Sequence, residues 1–395
     1  MGYREYPKRD LSDPSHLFNF HLSALRVVTM WKLNDMKYHT PFMILFFWNV
    51  TVLSICTVGL FIKGCTTDDL VDRSEAMDIF TLTGSAMYKM VYFIYYHDDL
   101  VDMITCGLAL TEKLPKGWTK HCTLFAKFHC CGGIFCMTFW GLVPMFKTLL
   151  GETTLEEMKL PINTYYPFEG RFAFSVTYSI AQYALMVSGQ IYMAADIYLF
   201  TSIYVAVGAL QYISDELEKM NENSNLKIAD VGKVDQTHEH LKECMELHVN
   251  VLDYIRKTDK LFRSMILADV VHAIISLSFA MLQASEAKGL FEGLKMAVFV
   301  VVCFLHQFLN SHFGQTLIDK QDHLIEKIRI AVPWREASRS FKKSYHIMIT
   351  SNTNAIKLSA WSAYYLQYAT FLEFSKSMIS YYMVLRELQD QEEVP

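Results

Sequence analysis

Charge is scarce in this 395-residue chain: 19% of residues are Asp, Glu, Lys or Arg, where soluble domains carry roughly a quarter, and 52% are hydrophobic. Glycine (17) and proline (9) are few, while Phe (27) and Tyr (22) are abundant. That balance reads as helices in lipid. The net charge of −5 offers no basic surface to a nucleic acid. The nine cysteines contain no Cys-x-x-Cys pair and no regular spacing, and Cys130-Cys131 sits in an apolar run where packing is the expected role. A signal peptide is missing too. Residues 1–37 are polar, with no short apolar core ahead of a small-residue cleavage site, so the first membrane helix is expected to be the targeting signal.

Chemical motifs are equally sparse. His238-Glu239-His240 puts its histidines two apart, on different faces of a helix, whereas zinc-protease helices use positions four apart. His121-Cys122 and His129-Cys130-Cys131 lack acidic partners. No metal or other cofactor is expected. Gly132-Gly133 is a lone pair suited to close helix packing, not a phosphate loop. No serine or cysteine triad can be assembled. These absences argue against an enzyme. A polytopic transporter would need clustered ionisable groups at mid-membrane, and Glu373 with Lys376 is the only such pair expected at the core of a span.

What is present is a series of apolar runs. Seven spans are predicted: 38–62, 77–97, 124–146, a fourth from about 172, 260–283, 294–309 and 356–388. The second is more polar, with Lys89 in its middle. The fourth stays helical in pattern to about Met220, far beyond the hydrocarbon core, so it should project from the membrane. The predicted fold is an all-α membrane protein: a cytosolic N-terminal segment (1–37), spans one to four (38–210) with an outer loop at 150–171, a cytosolic helical extension (211–259), spans five and six (260–313), cytosolic anchor helices (314–355), span seven and an extracellular acidic tail (389–395). Lys and Arg are roughly threefold richer in segments 1–37, 98–123, 211–259 and 314–355, which places them and the N-terminus inside. Within 211–259, Leu241, Met245, His248, Leu252 and Ile255 repeat as on an amphipathic helix. The outer loop, with Pro161, Pro167, Tyr165, Tyr166 and Phe168, is expected to be an ordered lid. The Asn49-Val50-Thr51 sequon lies inside the first span and should be unmodified.

The last span carries a polar stripe. Glu373, Ser377, Ser380, Tyr381, Val384, Glu387 and Leu388 fall within about a third of the circumference at about 100° per residue, with Lys376 at the margin. Leu372, Phe374, Ile379, Tyr382 and Leu385 make the other side. Ionisable groups inside a membrane face protein or water. Two readings stay open: several copies around an axis form a pore with Val384 and Leu388 as its constriction, or the stripe is buried against the chain's own bundle.

Three runs resemble the insect odorant receptor family. Phe304-Leu305-His306-Gln307-Phe308-Leu309 followed by Phe313-Gly314-Gln315-Thr316-Leu317 is similar to the family's sixth-helix run, with Gln315 and Thr316 in place of Asn and Glu. Ala331-Val332-Pro333-Trp334-Arg335 resembles its Ser-Pro-Trp-Tyr. Ser380-Tyr381-Tyr382-Met383-Val384-Leu385-Arg386-Glu387-Leu388 resembles the terminal signature shared with gustatory receptors. A gustatory receptor channel is the alternative, and a G-protein-coupled receptor a more distant one, since its Asp-Arg-Tyr and Asn-Pro-x-x-Tyr motifs are missing.

The resemblance implies an odorant-gated, non-selective cation channel in the plasma membrane of olfactory sensory neurons. It implies a tetramer whose pore is lined by the seventh helix, formed by a tuning subunit with the shared co-receptor (Orco). It makes Val384 and Leu388 the gate and puts Glu387, a Gln in the family, at the pore mouth, flanked by Tyr381, Ser380, Ser377 and Glu373. It also implies a pocket for a small volatile in the outer half of the membrane, between the second, third, fourth and sixth helices. The residues here would be Phe80, Ser85 and Tyr88, then Phe139 and Trp140, then Tyr178, Tyr183 and Met186, with Met296 and Phe299 foremost.

Overall fold

The structure, a computed structural model, describes residues 17–31, 39–114, 117–151, 158–167, 170–224, 231–287, 289–331, 339–351 and 355–392. The Pro333-Trp334 run and Phe168 lie outside the described residues. In chain order the elements are α1 (Asn19–Val27), α2 (His39–Thr66), α3 (Leu70–Tyr95), α4 (His97–Thr111), α5 (Trp118–Leu149), α6 (Arg171–Ser224), α7 (Val231–Ser285), α8 (Leu290–Ala331), α9 (Arg339–Ser351), the hairpin strands β1 (Ser359–Ala360) and β2 (Tyr364–Tyr365), and α10 (Tyr368–Glu392).

Proline placement explains the longest elements. Proline breaks helix interiors, and none occurs between Pro167 and Pro333. That stretch holds α6, α7 and α8, of 54, 55 and 42 residues. The overhanging fourth span is as expected. The fifth is not a separate piece: the amphipathic segment and the span at 260–283 are one continuous helix, α7. An unbroken buried stripe joins them, Leu241, Cys244, His248, Val251, Ile255, Phe262 and Ile266, at helical spacing throughout. The sixth span likewise runs on past Phe313 to Ala331. The expected boundaries at 259/260 and 313/314 therefore fall inside helices. The second span starts earlier than expected, at Leu70, because the Asp69 carboxylate caps the backbone N–H groups of Val71 and Asp72.

Helix α6 is the axis of the bundle and packs against α1, α2, α3, α4, α5, α7 and α8. Of its most apolar stretch 89% is buried, against 33% for α2 and α5. The outer faces of those two helices remain apolar: Ile44, Phe47, Trp48 and Ile55 on α2, and Leu124, Phe128 and Phe135 on α5. Uncovered apolar faces of this extent suit lipid, not water. Among the described residues five helices, α2, α5, α6, α7 and α8, are long and apolar enough to cross a membrane. The expected second and seventh spans, α3 and α10, fall short of that standard. Helix α3 carries Asp72, Asp78 and Lys89; α10 carries Glu373, Lys376, Arg386 and Glu387.

The seventh span differs most from expectation. Its helix begins at Tyr368, not Ile356, and continues through Glu392, so all of the described tail is helical. Residues 359–365 form an antiparallel hairpin pairing Ser359 with Tyr365 and Ala360 with Tyr364. Trp361 and Ser362, at φ 52° and 61°, turn the chain at its tip, a backbone that no right-handed helix can include. Leu358, Ala360 and Leu366 are buried under it. Ser359, between the first two, is buried as well, so the chain enters the interior as a run of three residues before turning out at Trp361.

Of the outer loop, the described segment 158–167 packs on the bundle. Ile162 is buried, Trp140 donates its indole N–H to the Pro161 carbonyl (3.2 Å), and the Tyr165 amide bonds to the Gly59 carbonyl (3.2 Å).

Candidate functional site

Helix α10 buries one narrow face. Phe371, Phe374 and Met378, spaced three and four apart, are its buried residues. Phe371 packs edge-on against Phe304 and Phe308 of α8, at 5.1 and 5.7 Å between ring centres. Ser278 of α7 donates to the Met378 carbonyl (3.2 Å). At about 100° per residue the polar stripe is centred roughly 110° round the helix from that face. Glu373, Ser380, Tyr381, Val384, Glu387 and Leu388 are exposed and Ser377 is half-buried. Of the two readings of this stripe, burial against the chain's own bundle does not occur. Of the apolar residues on the other side, Phe374 is buried, whereas Leu372 and Ile379 are 61% and 50% exposed.

The start of α10 is tied to the bundle at several points. Asp259 of α7 accepts from the Ser359 amide (2.8 Å) and hydroxyl (3.1 Å). The Gln321 amide of α8 bonds both the N–H and the C=O of Ile356, each at 3.0 Å. Gln315 accepts from the amide of Tyr368, the first residue of α10 (3.4 Å), and His312 bonds the Tyr368 hydroxyl (2.7 Å). The sixth-helix sequence run thus holds the base of α10.

Three of the ten expected pocket residues share one cavity. Phe80, Ser85 and Tyr88 border a cavity of about 460 Å³ between α3 and α7, with Thr81 and Gly84 beside them and Ser264, Leu267, Ala268, Val271, His272 and Ile275 opposite. The other seven are not among its walls. Trp140, Met296 and Phe299 are buried, with Trp140 edge-on to Phe299 at 4.9 Å. The Lys295 ammonium sits 4.0 Å from the Trp140 ring and 3.0 Å from Glu75 of α3. Tyr178 donates to the Gly141 carbonyl (2.6 Å), Tyr183 to the Asn49 side chain (2.6 Å), and Met186 accepts from Thr138 (3.6 Å). Phe139 stacks on Phe135 at 6.3 Å. These groups hold α2, α5 and α6 together. The α7 wall was missed although its signal existed: Ser264, Ala268 and His272 recur every four residues, as do Leu267, Val271 and Ile275.

A buried ionic cluster is a second departure. Lys89 of α3, fully buried, lies 2.7 Å from Asp269 of α7 and 3.3 Å from Asp196 of α6. His306 of α8 lies 2.7 Å from the second Asp196 oxygen. The Tyr192 ring covers the Lys89 ammonium at 3.8 Å. Glu373 and Lys376 are therefore not the only ionisable pair within the spans, and they are the exposed one. Charges removed from water need each other's company, and these four join four helices at one point.

The sequence profile of the 7tm odorant receptor family matches residues 69–378. A curated relative, Odorant receptor 13a of Drosophila melanogaster, is 19% identical over 269 residues. That match takes in 64% of this chain and 63% of the relative's length, under two thirds of it. The solved insect olfactory receptor OR5 of Machilis hrabei has the same fold: TM-score 0.76 at 14% identity, covering 93% of this chain and 97% of that one. Its complex with eugenol gives 0.74 at 13% identity, covering 94% and 97%. These likenesses, with the apolar helices, describe a multi-pass membrane receptor, not an enzyme. The chain belongs to the 7tm odorant receptor family.

Proposed function

We propose that this chain is the odorant-binding subunit of a ligand-gated, non-selective cation channel in the plasma membrane. Seven helices cross the bilayer, α2, α3, α5, α6, α7, α8 and α10, with the N-terminus inside. Four subunits, this chain together with co-receptor (Orco) copies, surround a pore lined by α10. The supporting observation is the stripe from Glu373 to Leu388, which its own chain leaves uncovered. A polar and ionisable flank cannot face lipid cheaply; water shared with sister subunits satisfies it. Val384 and Leu388 form the apolar gate, and Tyr381, Ser380, Ser377, Glu373 and Glu387 line or face the path.

A small volatile binds in the outer half, around Trp140, Met296 and Phe299, with Phe139, Tyr178, Tyr183 and Met186 on the neighbouring helices, while Phe80, Ser85 and Tyr88 of α3 border the cleft toward α7. Trp140 and Phe299 touch in the present conformation, so an occupant would part them. Helix α8 is the transmission rod. It carries Met296 and Phe299 near one end, His306 in the ionic cluster, and Phe304, Phe308, His312 and Gln315 against α10. Binding opens the gate only if the open state holds the ligand more tightly.

The test is electrical. Cells expressing this chain with the co-receptor should give volatile-evoked cation currents, absent without the chain. Val384→Ala combined with Leu388→Ala should raise the current at rest severalfold at equal surface expression. An unchanged leak would remove these residues from the gate.

A further inference from the structure

We infer that the cleft between α3 and α7 is a separate small-molecule site, entered sideways from the bilayer, for a lipid-soluble alcohol or phenol. Its volume of about 460 Å³ lies within the range of small-molecule pockets, about 300–1,000 Å³. Tyr88, Leu267 and Val271 on its rim are partly exposed, and in a multi-pass membrane protein such apolar rim residues meet lipid. The room inside comes from Gly84: a Cβ built there meets no atom within 4 Å. Small residues on the facing wall, Ser264 and Ala268, extend the space.

The back wall is polar, which a groove for acyl chains does not need. Thr81, Ser85, Ser264 and His272 all border the cavity. The Thr81 hydroxyl donates to the Asp78 carbonyl (2.8 Å). Its contact with Nδ1 of His272 (3.0 Å) is then one in which the ring N–H donates. An uncharged imidazole with its proton on Nδ1 keeps Nε2 as an acceptor. An acceptor on a polar back wall, facing an apolar rim, selects a ligand carrying one O–H on an apolar body. The His272 ring also lies 5.4 Å from the Tyr192 ring, the one covering Lys89, so an occupant would press on the ionic cluster.

The test is photolabelling of the purified full-length chain in phosphatidylcholine vesicles with a diazirine-bearing octanol, with adducts located by mass spectrometry. Adducts should concentrate on residues 80–88 and 264–275 and be displaced by plain octanol. Gly84→Leu should cut them by about tenfold, the effect of overlap costing one to two kcal/mol. Gly132→Leu, at another open glycine, should leave them unchanged. Ala268→Leu fills the cleft from the other wall should the first variant fold poorly. Displacement by octanol in sterol-free vesicles identifies a volatile-sized alcohol as the occupant; loss of labelling only when a sterol is added identifies the bilayer's own alcohol. Adducts spread along α2 and α5, or indifferent to both filling variants, mean partition into lipid only and overturn the site. No current is read, so failure here is separate from failure of the channel proposal.

Discussion

Lys89→Met is expected to abolish most of the folded protein. The ammonium is fully buried between Asp269 and Asp196, and among the described residues the only other basic side chain paired with them is His306, on Asp196. Removing it leaves carboxylates in a low-dielectric bundle, and breaking a buried pair from one side costs about 3–5 kcal/mol. Whole domains are stable by about 5–15 kcal/mol, so the loss is a large share. The sign reverses when the charges leave together. Lys89→Met with Asp269→Asn should regain much of the loss, because Asp196 keeps His306 as its partner. The contrasting case is Lys257→Ala, whose Asp102 partner is 62% exposed at the bundle's edge; such pairs contribute about 0–1 kcal/mol. Monodisperse yield and melting temperature of detergent-purified protein read all three. A Lys89→Met protein that melts with the parent would show that the cluster does not hold the four helices together.

That cluster was invisible in the sequence for a plain reason. Lys89, Asp196, Asp269 and His306 lie on four helices, and nothing in their spacing relates them. Each alone looks like an isolated polar residue in a span. The apolar runs of α2, α5, α6 and α8 were legible because one helix's own composition decides them. The stripe of α10 was legible because it is a periodicity within one helix. The hairpin at 359–365 was not: Leu358, Ala360 and Leu366 look helical to a hydropathy count, while the turn at Trp361 and Ser362 and the tie of Ser359 to Asp259 are set by packing between distant segments. Which helix the expected pocket residues of α3 meet was illegible for the same reason as the cluster. Phe80, Ser85 and Tyr88 face α7, but which neighbour a helix face meets is set by packing between distant segments.

Gly314→Ala should break the coupling between the bundle and α10. Alanine in place of glycine inside a helix normally stabilises by about 1 kcal/mol, and Gly314 is well inside α8. Here a Cβ would collide with the backbone carbonyl and the side chain of Leu366, two residues before α10 begins. The obstacle is main chain, and it cannot retreat. Leu366 is bonded through its amide to the Leu358 carbonyl (3.0 Å), and Ser359 next along is fixed on Asp259 (2.8 Å). One of three things must give: the hairpin, the Gln315 cap on Tyr368, or the tilt of α10 against Phe304 and Phe308. Overpacking of this kind costs about 1–3 kcal/mol. Gly141 is the control. Its added Cβ would meet only the Gln182 side chain, which can swing away. Gly314→Ala is therefore expected to lower the melting temperature and to lose most volatile-evoked current per channel at the surface. Gly141→Ala should change stability by no more than about 1 kcal/mol. Parental currents and melting in Gly314→Ala would mean that α8 and the base of α10 are free to slide, and the transmission of binding through α8 would have no physical link to the gate.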